Sequence, residues 1–443
     1  MNQRRHSWRL RIWIVLVLTA SVTVQARELT IQRALELAVQ HSHSLKKARA
    51  EWHASKSALK SARASYLPTL SVKAFTFYND KAPSFDIELP LNYSLSREIG
   101  SKENYQVGIR LSAPLFTGGK ISGNVNATMA NFDLHRAYED AKLNQLLYQT
   151  RVEYLSLFRA ERQLDAARAS LKRATIIKND VYYLFSAGAA DSIDLLEADL
   201  AYAKANLKVK EAVNLRRSAE IKLISLLNLP ADESLVISRI LPTPDTMEII
   251  KVQPDTCFSR PQMRAAQAAV ALSRAQVKIA RSAYFPTISA YGGYSYGKPN
   301  LDFFNNTWND YFTIGTQLNW SFNVGRKEYN EVQRAKHSSR AVRRERDEVA
   351  KRLKRETQLA LENLRLAYQR YETAQQSHRI SLDSYRLAIQ KHRRGLLSSN
   401  RLLEIETDLR EAEAALAVSL VDFYITESAY YYSIGSDKLK GGF

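Results

Sequence analysis

The sequence predicts a mainly α protein with a minor β part, in which one unit of helix, strand, loop, strand, very long helix, turn and helix occurs twice. Three observations predict it. The first is the stretch from Gly119 to Leu229, which has no proline and, beyond Gly123, no glycine except Gly188. Such a run forms one very long helix, a turn and a long helix back. From Lys120 to Ala187 there are 68 residues, spanning roughly 100 Å at 1.5 Å per residue. The second observation is self-similarity. Tyr66-Leu67-Pro68-Thr69-Leu70-Ser71 recurs as Tyr284-Phe285-Pro286-Thr287-Ile288-Ser289, an offset of 218, and Gly118, Gly188 and Leu195-Leu196-Glu197 recur at Gly325, Gly395 and Leu402-Leu403-Glu404, an offset of 207. The third is strict alternation of apolar and polar residues in the segments between.

In chain order, residues 1–26 read as a secretory signal peptide. Arg4, Arg5, Arg9 and Arg11 form a basic start, Ile12 to Val24 an apolar core of 13 residues, and Val24-Gln25-Ala26 a cleavage site. The first repeat covers 27–230. Its strands are expected near 69–78 and 103–116, with Pro68 switching helix to strand, and its helix hairpin over 119–229. Asn79 to Asn104 reads as a long polar loop, and its shorter counterpart, Lys298 to Asn309, accounts for the change of offset by 11. In the long helix Leu157, Ala160, Leu164, Ala167, Leu171, Ala174 and Val181 step by three and four, a coiled-coil seam interrupted at Lys178. Residues 231–257 read as a linker or small lateral segment with a strand-like Leu235-Val236-Ile237.

The second repeat covers 258–436. Its strands are expected near 287–297 and 310–323, with Pro286 as the switch, and its helix hairpin over 325–435. The tail is 437–443. From Tyr311 to Asn323 the alternation is complete: Phe312, Ile314, Leu318, Trp320 and Phe322 lie on one face, and Thr313, Gln317, Asn319 and Ser321 on the other. These strands are about 10 residues long, tyrosine-rich and apolar on one side, as transmembrane barrel strands are. Tyr78, Tyr294, Tyr296 and Trp320 suit an interfacial girdle. Four strands cannot close a barrel, and an open edge in lipid leaves backbone groups unpaired, so the chain must oligomerise.

The formal charge is +19, or +15 without the four leader arginines, and the excess gathers between Arg326 and Arg355, with 12 Lys/Arg against 5 Asp/Glu. This run reads as a solvated helix face, with acidic lipid or a conduit lining as alternatives; nucleic acid is not an expected partner of an exported chain. The single cysteine, Cys257, excludes an intrachain disulfide and any Cys-based zinc cluster.

The duplicated Tyr-Leu-Pro-Thr-Leu entry, Pro114-Leu115-Phe116-Thr117-Gly118-Gly119 leaving the second strand, and Gly188 followed by Asp194-Leu195-Leu196-Glu197-Ala198 resemble the TolC-like outer membrane efflux proteins, over nearly all of residues 27–436. The resemblance implies a homotrimer with a 12-stranded β-barrel in outer-membrane lipid, four strands per chain, and an α-helical tunnel through the periplasm. It implies docking at the tunnel tip to a periplasmic adaptor and an inner-membrane pump of RND or ABC type, in drug efflux or type I secretion. Tip and docking candidates are Gly188, Asp191, Asp194, Glu197, Gly395, Arg401 and Glu404. Arg401 departs from the family, which often places an acid there; either an Arg401–acid pair at the closed tip gives weak or inverted ion selectivity, or Arg401 points outward and is solvated. Gln106, Arg110, Gln317, Asn319 and Ser321 are the expected lumen-facing residues.

Enzyme signals are weak, and no catalytic residue, cofactor or metal is expected. His41-Ser42-His43 lacks a third ligand. Gly118-Gly119-Lys120 lacks phosphate-loop spacing. Asp191, Asp194 and Glu197 sit where acids favour a helix start. The competing reading is a non-transporting periplasmic coiled-coil scaffold.

Overall fold

The structure, a computed structural model, describes residues 28–82, 84–89, 93–98, 100–230, 233, 235–238, 241–244, 260–302, 304–321 and 323–441. The leader reading and Cys257 lie outside these residues, as does most of the linker.

The repeat is present down to its helix lengths. Helix α1 (Ile31–His41) and α2 (His43–Ala64) lead into β1 (Thr69–Tyr78), and β4 (Glu103–Phe116) leads into α3 (Lys120–Ser186) and α4 (Ser192–Leu227). The second unit runs α5 (Pro261–Ser282), β5 (Thr287–Lys298), β6 (Asn309–Asn319), α6 (Lys327–Arg393) and α7 (Ser399–Ile434). Helices α3 and α6 each have 67 residues, and α4 and α7 each have 36. A short 3-10 helix, Asp437–Lys440, follows. Pro68 and Pro286 stand immediately before β1 and β5, three residues past Ser65 and Ala283, the caps of α2 and α5.

Three sequence expectations are corrected. The Asn79–Asn104 segment holds a second hairpin, β2 (Ser84–Leu89) with β3 (Tyr93–Glu98). The last strand, β6, stops at Asn319 rather than 323, leaving Trp320 and Ser321 outside it. Its partner β5 begins at Thr287, which pairs with Asn319, so nothing remains for residues beyond to pair with. Leu235-Val236-Ile237 makes one parallel bridge, from Ile237 to Leu29, rather than a strand.

The main sheet has the order β1-β4-β5-β6, antiparallel throughout. The helices below keep that order. Helix α2 packs on α3, α3 on α5, and α5 on α6; nearer the tip, α4 packs on α3, α3 on α7, and α7 on α6. Each chain is therefore a curtain of four staves with two free edges: β1, α2 and α4 on one side, β6 and α6 on the other.

The seam read from sequence is buried at Leu157, Ala160, Leu164, Ala174 and Val181 and half-buried at Ala167 and Leu171. Its polar break is accounted for: the Lys178 ammonium reaches α4, 2.8 Å from Asp199 and over the Tyr202 ring. The main core lies at mid-height, where α1, α3, α4, α7 and the 235–237 segment meet. There the fully buried Arg151 donates to the Ser428 hydroxyl and to the carbonyls of Lys438, Leu439 and Gly441, fixing the 3-10 helix to α3 and α7.

Candidate functional site: the barrel wall and the tunnel tip

The register puts Leu70, Val72, Val107, Ile109, Leu111, Tyr294, Phe312, Ile314 and Leu318 on one face of the sheet, every one exposed in the single chain. Water does not stabilise so large an apolar face; lipid does. Ten residues of strand tilted by about 40° rise roughly 25 Å, the height of an outer-membrane apolar band. Aromatic rings mark both ends. At the far end Trp308 stacks on Tyr296 at 5.1 Å and lies 6.0 Å from Tyr105; at the helical end Tyr66, Tyr284 and Trp320 are exposed. Trp308 and Tyr105 were not among the girdle residues read from sequence.

The opposite face is mainly polar, with the stacked Phe75 and Phe77 as its apolar exception. Gln106, Arg110, Gln317 and Asn319 share it, as their alternation predicted, and Lys73 joins them. Ser321 lies beyond the strand end and does not share this register. Arg110 places its guanidinium over the Tyr291 ring at 5.0 Å. That ring in turn covers Gly315, where a Cβ would meet the Tyr291 hydroxyl at 2.8 Å. A larger residue at 315 would push the ring, and with it Arg110, off the wall.

At the other end of the molecule Gly188 and Gly395 turn the hairpins with φ of +71° and +72°. Open space surrounds both, so the left-handed backbone, not crowding, calls for glycine. Asp191 caps α4, accepting from the Ile193 and Asp194 N–H groups at 2.8 and 2.9 Å, and the Asp194 carboxylate accepts in return from the Asp191 N–H. Both carboxylates are thus engaged in helix capping. Glu197 is exposed two turns on. In the second hairpin Ser398 caps α7, and Arg401 pairs with Glu404 of its own helix at 2.5 Å, both side chains largely exposed. Arg401 is therefore neutralised within its own hairpin in the single chain.

Fifteen residues before Gly188, roughly 22 Å along the helix, Arg173 of α3 joins the two hairpins. It grips Glu413 with two nitrogens at 3.2 and 2.8 Å and Glu406 at 3.1 Å, and Ser170 donates to Glu406 at 2.8 Å. Burial works against the Arg173 charge, but Glu413 and Glu406 overcome it and hold its pKa above the ordinary value. Partners some 230–240 residues apart leave no local sequence signal, so this network was invisible beforehand.

No helix among the described residues is long and apolar enough to cross a membrane. None of them forms a cluster of three His, Cys, Asp or Glu suited to a metal. His41 lies 3.3 Å from the Leu227 carbonyl.

Comparison with known proteins then decides the family. The model for outer membrane efflux proteins matches residues 34–229 and 256–435, both repeats. The chain belongs to the outer membrane efflux protein family. Among curated members, the probable efflux pump outer membrane protein SepC of Pseudomonas putida is 25% identical over 205 residues, 45% of this chain and 42% of SepC. The match thus spans less than half of that relative. Two solved structures share the fold. The CmeC outer membrane channel of Campylobacter jejuni has a TM-score of 0.79 at 18% identity, covering 91% of this chain and 85% of CmeC. The outer membrane protein VceC of Vibrio cholerae has 0.78 at 16%, covering 92% and 96%. Family membership thus rests on both repeats, and the fold on nearly the whole chain.

Proposed function

We propose that three copies of this chain form the outer-membrane duct of a tripartite exporter, with a 12-stranded barrel in lipid and a helical tunnel below it. The duct does no chemistry; it conducts cargo delivered by an inner-membrane pump of RND or ABC type through a periplasmic adaptor that docks at the Gly188 and Gly395 hairpins. One observation carries the reading: the two free edges of the curtain match. On α4, Ala198, Ala205, Ala212 and Ala219 are buried at steps of seven, and Ile193, Leu200, Leu207 and Ile221 are exposed on the opposite side, also in a seven-residue frame. On α6, Leu359, Leu366, Ile380 and Leu387 are exposed in the same seven-residue frame. Both stripes run over the same height above the tip, and each is the half of a coiled-coil seam that lacks its partner. Neighbouring copies close tunnel and barrel together, since the sheet order follows the helix order.

In this reading Gln106, Arg110, Gln317 and Asn319 wet the lumen. Planar bilayers exposed to the detergent-purified protein are expected to show discrete conducting steps, and cells lacking the gene to accumulate exported dyes. Absence of steps together with unchanged accumulation contradicts a duct and returns the scaffold reading.

A further inference from the structure

We infer that the barrel lumen is a cationic filter suited to anionic cargo, an inference that rests on the duct reading above. The charged groups of the main sheet divide unequally between its faces: Lys298, Glu103 and Asp310 lie on the apolar face near its outer end, and the polar face carries cations alone. Lys73 on β1 and Arg110 on β4 lie on the polar face: Lys73 pairs in register with Gly108, two residues from Arg110, so the two cations are diagonal neighbours. Both are exposed, and among the described residues neither meets a carboxylate. The two carboxylates of the main sheet, Glu103 and Asp310, sit on the other face near its outer end. Each accepts a hydrogen bond from a tyrosine hydroxyl, Tyr105 at 3.1 Å and Tyr294 at 2.9 Å. The polar face of the four strands thus carries two positive charges and no negative one.

Three copies put six cations in one band of the lumen. Twelve strands about 4.8 Å apart and tilted by ~40° give a backbone radius of roughly 12 Å. Side chains reduce the distance from charge to axis to about the Debye length at physiological salt, ~8 Å. A solute on the axis therefore feels the whole band, and rings of Lys and Arg are the usual means of favouring anions. Arg110 is oriented for this role: its guanidinium lies against Tyr291, which lies on Gly315, so it rests along the wall while staying exposed to the lumen side. The cargo class selected is organic anions, carboxylates and phosphates among them.

The test uses the full-length protein in planar bilayers, with probes added from the barrel side. Hexacyanoferrate, a tetravalent anion, is expected to block the current, and hexamminecobalt, a trivalent cation, to block it far less from that side. The double variant Lys73→Gln/Arg110→Gln is expected to weaken hexacyanoferrate block by about tenfold or more, and Arg110→Lys to retain it. Both sites are exposed, so the variants keep the fold, shown by an unchanged oligomer band on unheated gels and by conducting steps that remain discrete, whatever their size. Equal or stronger block by the cation, or anion block unmoved by the double substitution, overturns the cationic filter while leaving the duct intact. Absence of conducting steps in the unaltered protein overturns the duct reading and the filter with it.

Discussion

Replacing Ile314 with arginine is expected to remove the assembled protein from the outer membrane, whereas arginine at the adjacent Thr313 leaves it in place. Ile314 lies midway along β6 on the apolar face, opposite Gly292 and exposed in the single chain. In lipid an arginine there costs about 2–4 kcal/mol per copy at the bilayer midplane. In the proposed trimer the penalty is incurred three times. Thr313 pairs with Gly293 on the polar face, where the duct reading places water. An arginine there keeps its hydration and stands apart from Arg110 across Gly293. Outer-membrane fractions run on gels without heating show the difference: a trimer band for Thr313→Arg, and none for Ile314→Arg. Similar levels of the two variants contradict a lipid-facing wall.

Removing the Arg173 side chain is expected to loosen the lower tunnel more than any other single truncation there. Arg173→Ala leaves Glu406, 8% exposed, and Glu413, 20% exposed, without their cation. Breaking one side of a buried ion pair costs about 3–5 kcal/mol, chiefly because charge is left desolvated. Neutral groups of similar shape restore packing, so Arg173→Met with Glu406→Gln and Glu413→Gln recovers most of the loss. The network ties α3 to α7, the first repeat to the second, so its loss frees hairpins rather than unfolding the mid-height core. Amide exchange is expected to rise across 165–205 and 395–415 in Arg173→Ala and stay unchanged near Tyr154, Leu223 and Phe423. Uniform acceleration, or none, contradicts a local clasp.

How much was legible in the sequence follows from how local each signal is. The paired 67- and 36-residue helices were readable because breakers are absent except at Gly188 and Gly395, and those glycines turned out to need a positive φ. The face on which Gln106, Arg110, Gln317 and Asn319 sit followed from alternation alone, since a strand's side-chain period is two. The β2–β3 hairpin was missed although Phe85, Ile87 and Leu89 alternate with Asp86 and Glu88; overall polarity hid the pattern. The end of β6 was overrun because alternation continues through Trp320 to Asn323 while the partner strand stops at Pro286. The role of Lys73 required the register of two strands, and the Arg173 clasp required the packing of two repeats. At Arg326 the sequence carries no signal of its backbone conformation. Arg326 takes the left-handed conformation, φ +58°, that Gly119 takes in the first repeat, an uncommon position for a side-chain-bearing residue.

The account stands on the claim that this chain is an incomplete wall, finished by copies of itself. Native mass spectrometry of the protein extracted from outer membranes in mild detergent tests that claim most directly. The account predicts a single species of three times the mature chain's mass, released from the membrane only by detergent. A folded monomer in detergent-free buffer, its β1 and β6 edges open to water, would contradict it.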